Sequence, residues 1–405
     1  MKPLSGKFGR PLDIMREDNQ VMPSSPTSFS TRPKAEPRVP MARVRLGSKT
    51  VKAVERVLRS GNLRAGTITE EFEARFAAEV GAKYAIAVNS GTAALHIAYA
   101  AFLQTGDEVI VPDFTFIATA SMVVAAGGKP ILADVNPSTF TLDPVDAGKR
   151  VTPRTRAIVP VHLYGHPAEV TELTELARHN RLKIIWDAAQ AHGARFQGND
   201  VGSFADAVCY SFYPTKNMTS GEGGIITTQD SGLAAEFKLL RSHGERTRYN
   251  HTRIGFNYRI TDIAAAIGLG QLETLRASVE RRRQNAAALA QGLADIDGIH
   301  LPIEMDSCAH AYHLFTIRIE PRILGMTRDE FRQALASHGI ETAVHYPRPL
   351  HRQPVFSGMG EDSDFPVSTL LSETVISLPV HPLLTTNQIR RIITAVRQVT
   401  KKSSP

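Results

Sequence analysis

The chain has 405 residues, of which 42% are hydrophobic and 21% charged, with a formal net charge of +7. These values are typical of a soluble globular protein with a sizeable buried core. Its two cysteines form no CxxC pattern, and its longest apolar stretch is far shorter than the ~20 residues of a membrane span, so we expect no metal site, disulfide framework or membrane helix.

The N-terminal segment, residues 1–42, is predicted to be a basic, disordered tail. Residues 1–45 carry nine Lys or Arg and four Asp or Glu, so most of the net charge lies there. The Pro/Ser-rich run PSSPTSFSTRPKAEPRVP is typical of disorder. The rest of the chain is nearly neutral and does not suggest a nucleic-acid-binding face, although contact of the tail with an anionic partner stays open. The first ten residues lack the apolar region of a signal peptide, which favours the cytoplasm.

Regular elements are predicted to begin near Gly47. SKTVKAVERVLRSG and EEFEARFAAEVG have apolar residues at helical spacing, and each ends at a glycine. From there to about residue 230, helical segments alternate with short runs: AIAVN, EVIVP, PILADV, AIVPV, LKIIWD, AVCYS and GIITT. Most of these runs are apolar throughout, which suits strands buried on both faces. We therefore predict an α/β architecture with a mostly parallel sheet.

The C-terminal quarter of the chain has a different pattern. After NYRITDIAAAIGLGQLETL, one long helical stretch is predicted to run to about residue 295. The β-like run HLFTIRIE and the helical segment TRDEFRQALASHG follow it. The pattern predicts a large α/β domain over residues 43–295 and a smaller α+β domain over residues 296–405.

Asp187 ends the strand-like run LKIIWD, where open α/β sheets place their ligand-binding residues. A carboxylate buried at such a point needs a partner. A pyridinium N–H is a suitable partner, because an ionised carboxylate keeps that ring nitrogen protonated and the ring then acts as an electron sink. The alternative is an N-cap for a helix over AAQAHG.

Lys216 lies in YSFYPTKN, a few residues after the strand-like run AVCYS. Ser211 ends that run, and the glycine-rich segment SGEGG follows at 220–224. Glycines allow the backbone to approach a ligand closely. Lysine forms Schiff bases with carbonyl cofactors once its amine is partly desolvated. The alternative is an ordinary surface lysine.

The segment SGTAALHIA, residues 90–98, follows a predicted strand and opens a helix. The free backbone N–H groups there, at Gly91 and Thr92, would point at an anion. The alternative is ordinary capping by Ser or Thr. No GxxxxGK[ST] or GxGxxG pattern is present, so mononucleotide-loop and dinucleotide sites are not supported. The three segments together suit one cofactor that carries an aldehyde, a ring nitrogen and a phosphate.

Seven segments, in chain order, carry a family resemblance: NSGTAALH, VPDFTFIATAS, VPVHLYG, WDAAQAHGA, SFYPTKN with GEGG, GFNYR and HYPRPLHRQP. Together they resemble the DegT/DnrJ/EryC1/StrS family of sugar aminotransferases over about residues 43–398. The resemblance implies pyridoxal 5'-phosphate (PLP) as cofactor. It also implies PLP-dependent transferase fold type I, which is aspartate-aminotransferase-like, and a homodimer with active sites at the subunit interface.

The resemblance also assigns roles to residues that match the family's motifs. Lys216 matches the catalytic Schiff-base lysine, and Asp187 matches the partner of the ring nitrogen. Gln190 matches the residue near the cofactor's 3-hydroxyl, and Phe116 the aromatic side chain stacked on the ring. His192 also lies in a motif, and we interpret it as mainly structural.

The remaining matches concern the phosphate and the substrate. Three phosphate ligands come from the same chain: Gly91, Thr92 and Ser211. A further one, Asn257, is implied to come from the neighbouring subunit. The positions that match substrate contacts are Arg259, His345 and Tyr346. Two departures, Ala264 in place of a frequent Gln and RAGT in place of TxGP, leave the identity of the sugar open.

The resemblance implies a transaminase that moves an amino group from an amino acid, expected to be L-glutamate, to a nucleotide-diphosphate-linked keto sugar. The segment HYPRPLHRQ resembles that of members acting at C3 of the sugar. A keto-cyclitol of the scyllo-inosose type is the alternative acceptor. A sugar dehydratase is disfavoured, because such family members usually have histidine in place of Lys216. A non-catalytic regulator would need a DNA-binding element, and we find no convincing helix-turn-helix.

Overall fold

The computed structural model of the chain describes residues 38–204 and 206–401. Most of the predicted tail therefore lies outside the described residues. Val39, which we assigned to that tail, is fully buried, and its N–H donates to the carbonyl of Gly339 at 2.8 Å. The N–H of Glu341 donates to the carbonyl of Val39 at 3.0 Å, so Val39 is part of the folded protein.

The described residues form helices and strands in alternation over the first two thirds of the chain. The helices are α1 (Ser48–Ser60), α2 (Thr67–Val80), α3 (Gly91–Phe102), α4 (Ala118–Ala125), α5 (Pro144–Lys149), α6 (Val170–His179), α7 (Ser231–Arg241), α8 (Asp262–Leu272), α9 (Leu275–Leu293), α10 (Pro321–Leu324), α11 (Arg328–Ser337), α12 (Pro366–Thr374) and α13 (Thr386–Lys401). The strands are β1 (Tyr84–Val88), β2 (Glu108–Pro112), β3 (Lys129–Ala133), β4 (Thr155–Ile158), β5 (Lys183–Asp187), β6 (Arg195–Phe196), β7 (Asn199–Asp200), β8 (Ala207–Ser211), β9 (Gly224–Thr228), β10 (Glu245–Thr247), β11 (Asn250–His251), β12 (Ile299–His300), β13 (Cys308–Ala309), β14 (Phe315–Ile319) and β15 (Val375–Leu378).

The central sheet has seven strands in the order β1-β9-β8-β5-β4-β2-β3. All neighbouring pairs are parallel except the two that involve β9. The predicted mostly parallel sheet of the α/β fold is thus confirmed. Helices pack on both faces, and the two cores that they enclose are apolar. The carboxyl ends of β2, β5 and β8 meet at one edge of this sheet, where α3 begins close by.

One predicted element differs in extent. The run AIVPV was predicted as a strand, but β4 ends at Ile158, since Pro160 has no N–H to donate to a ladder. The long helical stretch predicted after NYRITDIAAAIGLGQLETL is confirmed as α9, and a turn at Glu273 and Thr274 separates it from α8. Helices α1 and α2 end as predicted, at Gly61 and Gly81, in the left-handed conformation that glycine adopts without strain.

A second sheet, β12-β14-β15, is antiparallel and lies in a separate apolar core with α11 and α13. Residues of α9 and Val39 contribute to this core as well. The division into two domains at residue 295 stays a prediction. No helix in the described ranges is long and apolar enough to cross a bilayer. Nor do residues 38–204 and 206–401 contain a group of three His, Cys, Asp or Glu side chains placed to hold a metal ion.

Candidate active site

Asp187 is buried at the end of β5, and both oxygens of its carboxylate accept a hydrogen bond. Thr119 Oγ donates to Oδ2 at 2.9 Å, and the N–H of Ala189 donates to Oδ1 at 3.0 Å. Burial raises the pKa of Asp187, while these two bonds and the charge of Lys216 lower it. A turn rather than a helix follows Asp187, so the N-cap alternative is wrong. Each oxygen retains lone pairs for a further donor.

Lys216 lies in a turn after β8, and its side chain is half-buried. Burial lowers the pKa of Lys216 to about 8, and the charge of Asp187 offsets part of that shift. The next residue, Asn217, anchors the turn, because its amide donates to the carbonyl of Ala311 at 3.0 Å. This turn also borders a cavity of about 570 Å³ that Arg43 and Arg45 line. An amine with a lowered pKa is more nucleophilic at neutral pH than an ordinary surface lysine.

The start of α3 and the end of β8 form a cradle for an anion, which we call the phosphate cradle. Ser90 caps α3, since its hydroxyl accepts from the N–H of Ala93 at 3.0 Å. The N–H groups of Gly91 and Thr92, which lack intrahelical acceptors, are thereby left for a ligand. A Cβ on Gly91 would lie 2.6 Å from the Cβ of Ser211, so only glycine permits this approach. Capping by Ser90 and an anion site are therefore compatible.

A second glycine closes the phosphate cradle. A Cβ at Gly224 would collide with the carbonyl group of Ser90. A cavity of about 430 Å³ opens at this end of α3, and its lining includes Thr92, Glu222 and Tyr258. The start of α3 therefore borders an open volume large enough for a phosphate group.

An aromatic wall, Phe116 and Tyr346, stands near Asp187. The two ring centroids are 6.0 Å apart, and Phe116 is 53% exposed, which leaves a ring face for a planar ligand. Tyr346 is fixed by Gln190, whose amide nitrogen contacts the phenol oxygen at 2.9 Å. The amide oxygen of Gln190 accepts from the N–H of Tyr164 at 2.8 Å. One N–H of Gln190 remains for a further acceptor.

Arg259 lies beside the phosphate cradle, Asn257 pairs with Ser242 after α7, and His345 lies near Lys216. Arg259 pairs with Val88 at the end of β1, and Asn257 is exposed. Burial, followed by the charge of Lys216, lowers the pKa of His345 to about 4, so its imidazole is neutral. Within the described residues, Nδ1 of His345 has no hydrogen-bond partner. His345 therefore presents one buried ring nitrogen without a protein partner among these residues.

His192 is enclosed rather than directed at a ligand. Its ring lies 5.1 Å from that of Tyr210 and 5.6 Å from that of Phe212. Burial, followed by the charge of Lys216, lowers its pKa to about 3. The described chain gives neither ring nitrogen a partner, which is consistent with a neutral packing residue.

The sequence profile of the DegT/DnrJ/EryC1/StrS aminotransferase family matches residues 44–397. The chain belongs to this family. It is therefore a PLP-dependent sugar aminotransferase of fold type I, as the seven sequence motifs predicted.

Three similar proteins illustrate the relationship. The chain is 40% identical over 370 residues to dTDP-3-amino-3,4,6-trideoxy-alpha-D-glucose transaminase of Streptomyces venezuelae, covering 89% of this chain and 96% of the relative. It is 37% identical over 355 residues to UDP-N-acetyl-3-dehydro-alpha-D-glucosamine 3-aminotransferase of Acidithiobacillus ferrooxidans, covering 87% and 94%. The crystal structure of S. venezuelae DesV with a ketimine intermediate has a TM-score of 0.85 and 40% identity, covering 90% and 99%.

The site of this aminotransferase fits PLP at three independent points. Gly91 and Gly224 let the start of α3 pack directly against the end of β8 and the start of β9, which brings the free N–H groups of α3 close to Ser211. Phe116 presents an exposed ring face to a planar molecule. Asp187, which is buried with only two hydrogen-bond donors, needs a positive partner to remain ionised, and a protonated ring nitrogen is one.

Thr119 is a site residue of this aminotransferase that the sequence analysis missed. Its hydroxyl reaches Asp187, and its carbonyl accepts from the phenol of Tyr99 at 2.8 Å. Thr119 comes three residues after Phe116, so a single turn of chain carries both. The sequence did contain one indication of this role, which is a hydroxyl residue three positions after Phe116 in the motif VPDFTFIATAS.

Thr119→Val should lower kcat/KM about tenfold, because a hydrogen bond to a charged group contributes roughly 1.5–3 kcal/mol. Thr119→Ser keeps the hydroxyl and should stay close to wild type. Steady-state kinetics on both variants would measure this difference. An equal loss in Thr119→Ser, which keeps the hydroxyl, would contradict the assignment of the effect to the bond with Asp187.

The attachment of PLP to apoprotein should depend on pH through Lys216. Only the neutral amine attacks an aldehyde, so the attachment rate should rise through about pH 8 and then level off. The Asp187→Asn variant should reach half of its maximal rate at a lower pH, because the charge of Asp187 raises the pKa of Lys216. Stopped-flow absorbance of the bound cofactor across a pH series would measure both. A midpoint near 10.5, the ordinary lysine value, would contradict the burial argument.

Proposed function

We propose that this enzyme moves an amino group from L-glutamate to C3 of a nucleotide-diphosphate-linked keto-hexose in amino-sugar biosynthesis. The observation that carries the proposal is the grouping of Lys216, Asp187 and the phosphate cradle at one edge of the sheet. The acceptor is suggested by the two relatives above, whose names both place the amino group at C3 of a nucleotide sugar. Their nucleotides differ, so the nucleotide of this enzyme is left open.

PLP, when bound, supplies an electron-withdrawing ring that stabilises negative charge at the substrate carbon and carries the amino group between the two half-reactions. Lys216 would hold the cofactor covalently, and its amine would be freed when the amine of a substrate takes its place on the cofactor. Its freed amine, with a pKa lowered to about 8, then takes and returns the proton that moves during transfer. A base of that pKa exchanges protons readily near neutral pH.

The other side chains hold the reactants in place. Asp187 keeps the ring nitrogen protonated, and Thr119 fixes the carboxylate that does so. Phe116 stacks on one face of the ring. The amides of Gly91 and Thr92, together with the hydroxyl of Ser211, bind the phosphate. Donors fixed before the ligand arrives need little reorganisation when charge develops.

The substrate contacts and the second subunit complete the proposed site. Arg259, His345 and Tyr346 face the sugar nucleotide. Asn257 is exposed on its own subunit, which supports a role as a phosphate ligand for the neighbouring subunit in a homodimer with shared active sites. Both cysteines are free thiols, in keeping with a reducing cytoplasm as the proposed location.

The reverse half-reaction would test this proposal. PLP-loaded protein would be mixed with nucleotide-linked 3-amino and 4-amino sugars, with aminocyclitols, and with L-glutamate. Loss of the visible absorbance of the lysine-bound cofactor reports amino transfer. We expect glutamate and one nucleotide-linked 3-amino sugar to bleach it. Bleaching by a 4-amino sugar alone would overturn the C3 assignment, and bleaching by an aminocyclitol alone would favour the keto-cyclitol alternative.

A further inference from the structure

A chain of hydrogen-bonded ionisable side chains runs from the interior to the surface beside the active site. It begins at Asp113, which is fully buried, and its Oδ2 lies 2.7 Å from Nδ1 of His351. Nε2 of His351 lies 2.9 Å from Asp362, and the guanidinium of Arg352 contacts Asp362 at 2.6 Å and Glu373 at 3.0 Å. The proposed mechanism uses none of these five residues.

His351 is held in one orientation by this chain. Each nitrogen of its ring lies within hydrogen-bond distance of a carboxylate oxygen, so the ring cannot rotate without losing these contacts. The backbone N–H of His351 also donates to Oδ1 of Asp113 at 2.8 Å, so His351 contacts both oxygens of that carboxyl group. The ring stacks on Phe365 with centroids 5.0 Å apart. Burial raises the pKa of Asp113, and the hydrogen bonds from His351 lower it. Removing the His351 side chain would leave a buried carboxyl group without one of its hydrogen bonds, which is costly.

The pair of His351 and Asp113 ties together the two segments that carry the aromatic wall. Asp113 follows β2 directly and lies three residues before Phe116. His351 comes five residues after Tyr346. Between them, the N–H of Leu350 donates to the carbonyl of Asp113 at 2.8 Å. The Phe116 and Tyr346 segments therefore share a common anchor, although 238 positions separate Asp113 from His351.

We propose that His351 is a positioning residue that, through Asp113, holds Phe116 and Tyr346 in the arrangement that stacks on the PLP ring. The inference rests on the proposed place of PLP against Phe116. The His351–Asp113 pair touches no reacting atom. Loosening it would widen the aromatic wall and weaken cofactor binding without removing Lys216 or Asp187.

Two amide variants distinguish the contact made by Nδ1 of His351 from the contact made by Nε2. His351→Asn places an amide nitrogen near the position of Nδ1 and retains a donor for Asp113. His351→Gln places one near the position of Nε2, which retains the contact to Asp362 and loses that to Asp113. We expect His351→Gln to raise the Kd of PLP for apoprotein about tenfold or more, and His351→Asn to stay within about threefold of wild type. Arg352→Gln, which alters only the exposed end of the chain, is the matched control and should leave this Kd unchanged.

The Kd would be measured by titrating each apoprotein with PLP, and the melting temperature of each apoprotein would report on folding. A lowered melting temperature in His351→Gln with an unchanged Kd would overturn the inference, because the role would then be structural alone. Equal weakening in His351→Asn and His351→Gln would overturn it too, since Asp113 would not be the partner that matters. Amino transfer by the wild type tests the proposed function separately, because the Kd of PLP does not depend on the acceptor sugar.

Discussion

Lys216→Ala is expected to abolish amino transfer, with a loss of at least about 10⁴-fold, because the variant loses both its covalent attachment to PLP and its proton-transfer group. Methylamine added to this variant could replace the missing lysine amine. It is not held in position by the protein, so it should restore only a small part of the rate. Borohydride reduction followed by mass spectrometry should find PLP on Lys216 in wild type and on no lysine in the variant.

Lys183→Ala is the matched control for this experiment. Lys183 lies on the same sheet at the start of β5, where it pairs with Asp206 at 3.0 Å, away from the proposed site. Its replacement should leave activity and cofactor attachment near wild type. Retention of reduced, covalently bound PLP by Lys216→Ala would show that another lysine holds the cofactor. A protein whose biological activity survived Lys216→Ala would be acting as a regulator rather than as a transaminase.

Asp187→Asn should lower kcat by about 10²–10³-fold while leaving PLP bound. The amide has the size of the carboxylate. Its oxygen can still accept from the N–H of Ala189, and its NH2 group can donate to the hydroxyl of Thr119, so the fold is retained. It has no negative charge to keep the ring nitrogen protonated, so the ring is a poorer electron sink. Steady-state kinetics and a shift in the absorbance spectrum of the bound cofactor would measure the two effects.

The control for Asp187→Asn is another acid with restricted solvent access, Asp200. Burial raises the pKa of Asp200 to about 7, although the N–H of Gly202 donates to it at 2.9 Å. Its replacement by asparagine removes a carboxylate of the same kind outside the proposed site and should not change kcat. A similar loss of activity in both variants would mean that carboxylate burial in general, and not charge at the ring nitrogen, explains the Asp187 effect.

Local pattern was enough to predict the main elements of this chain. The seven short runs lie in the seven strands of the central sheet, because strands buried on both faces must be apolar along their length. The glycines that end α1 and α2 could likewise be predicted from single positions. The direction of β9 could not, since GIITT has the same apolar pattern whether its neighbours run parallel or antiparallel to it.

Sequence motifs also nominated Lys216, Asp187 and Gly91, but not the groups that hold them. Thr119 contacts Asp187 across 68 positions, and the tight approach of Gly91 to Ser211 joins segments that start a helix and end a strand. Such contacts leave no periodic signal, because they depend on which strands become neighbours in the sheet.

By itself, the sequence determined the α/β class, the order of the elements and the family chemistry, since burial patterns and short motifs are local properties of the chain. Only the tertiary structure decided what surrounds that chemistry. It set the lowered pKa of Lys216 to about 8, the two donors on Asp187, and the anchor between Asp113 and His351. The physical reason is that desolvation and hydrogen bonding depend on distance in space, and a folded chain brings together groups that its sequence keeps far apart.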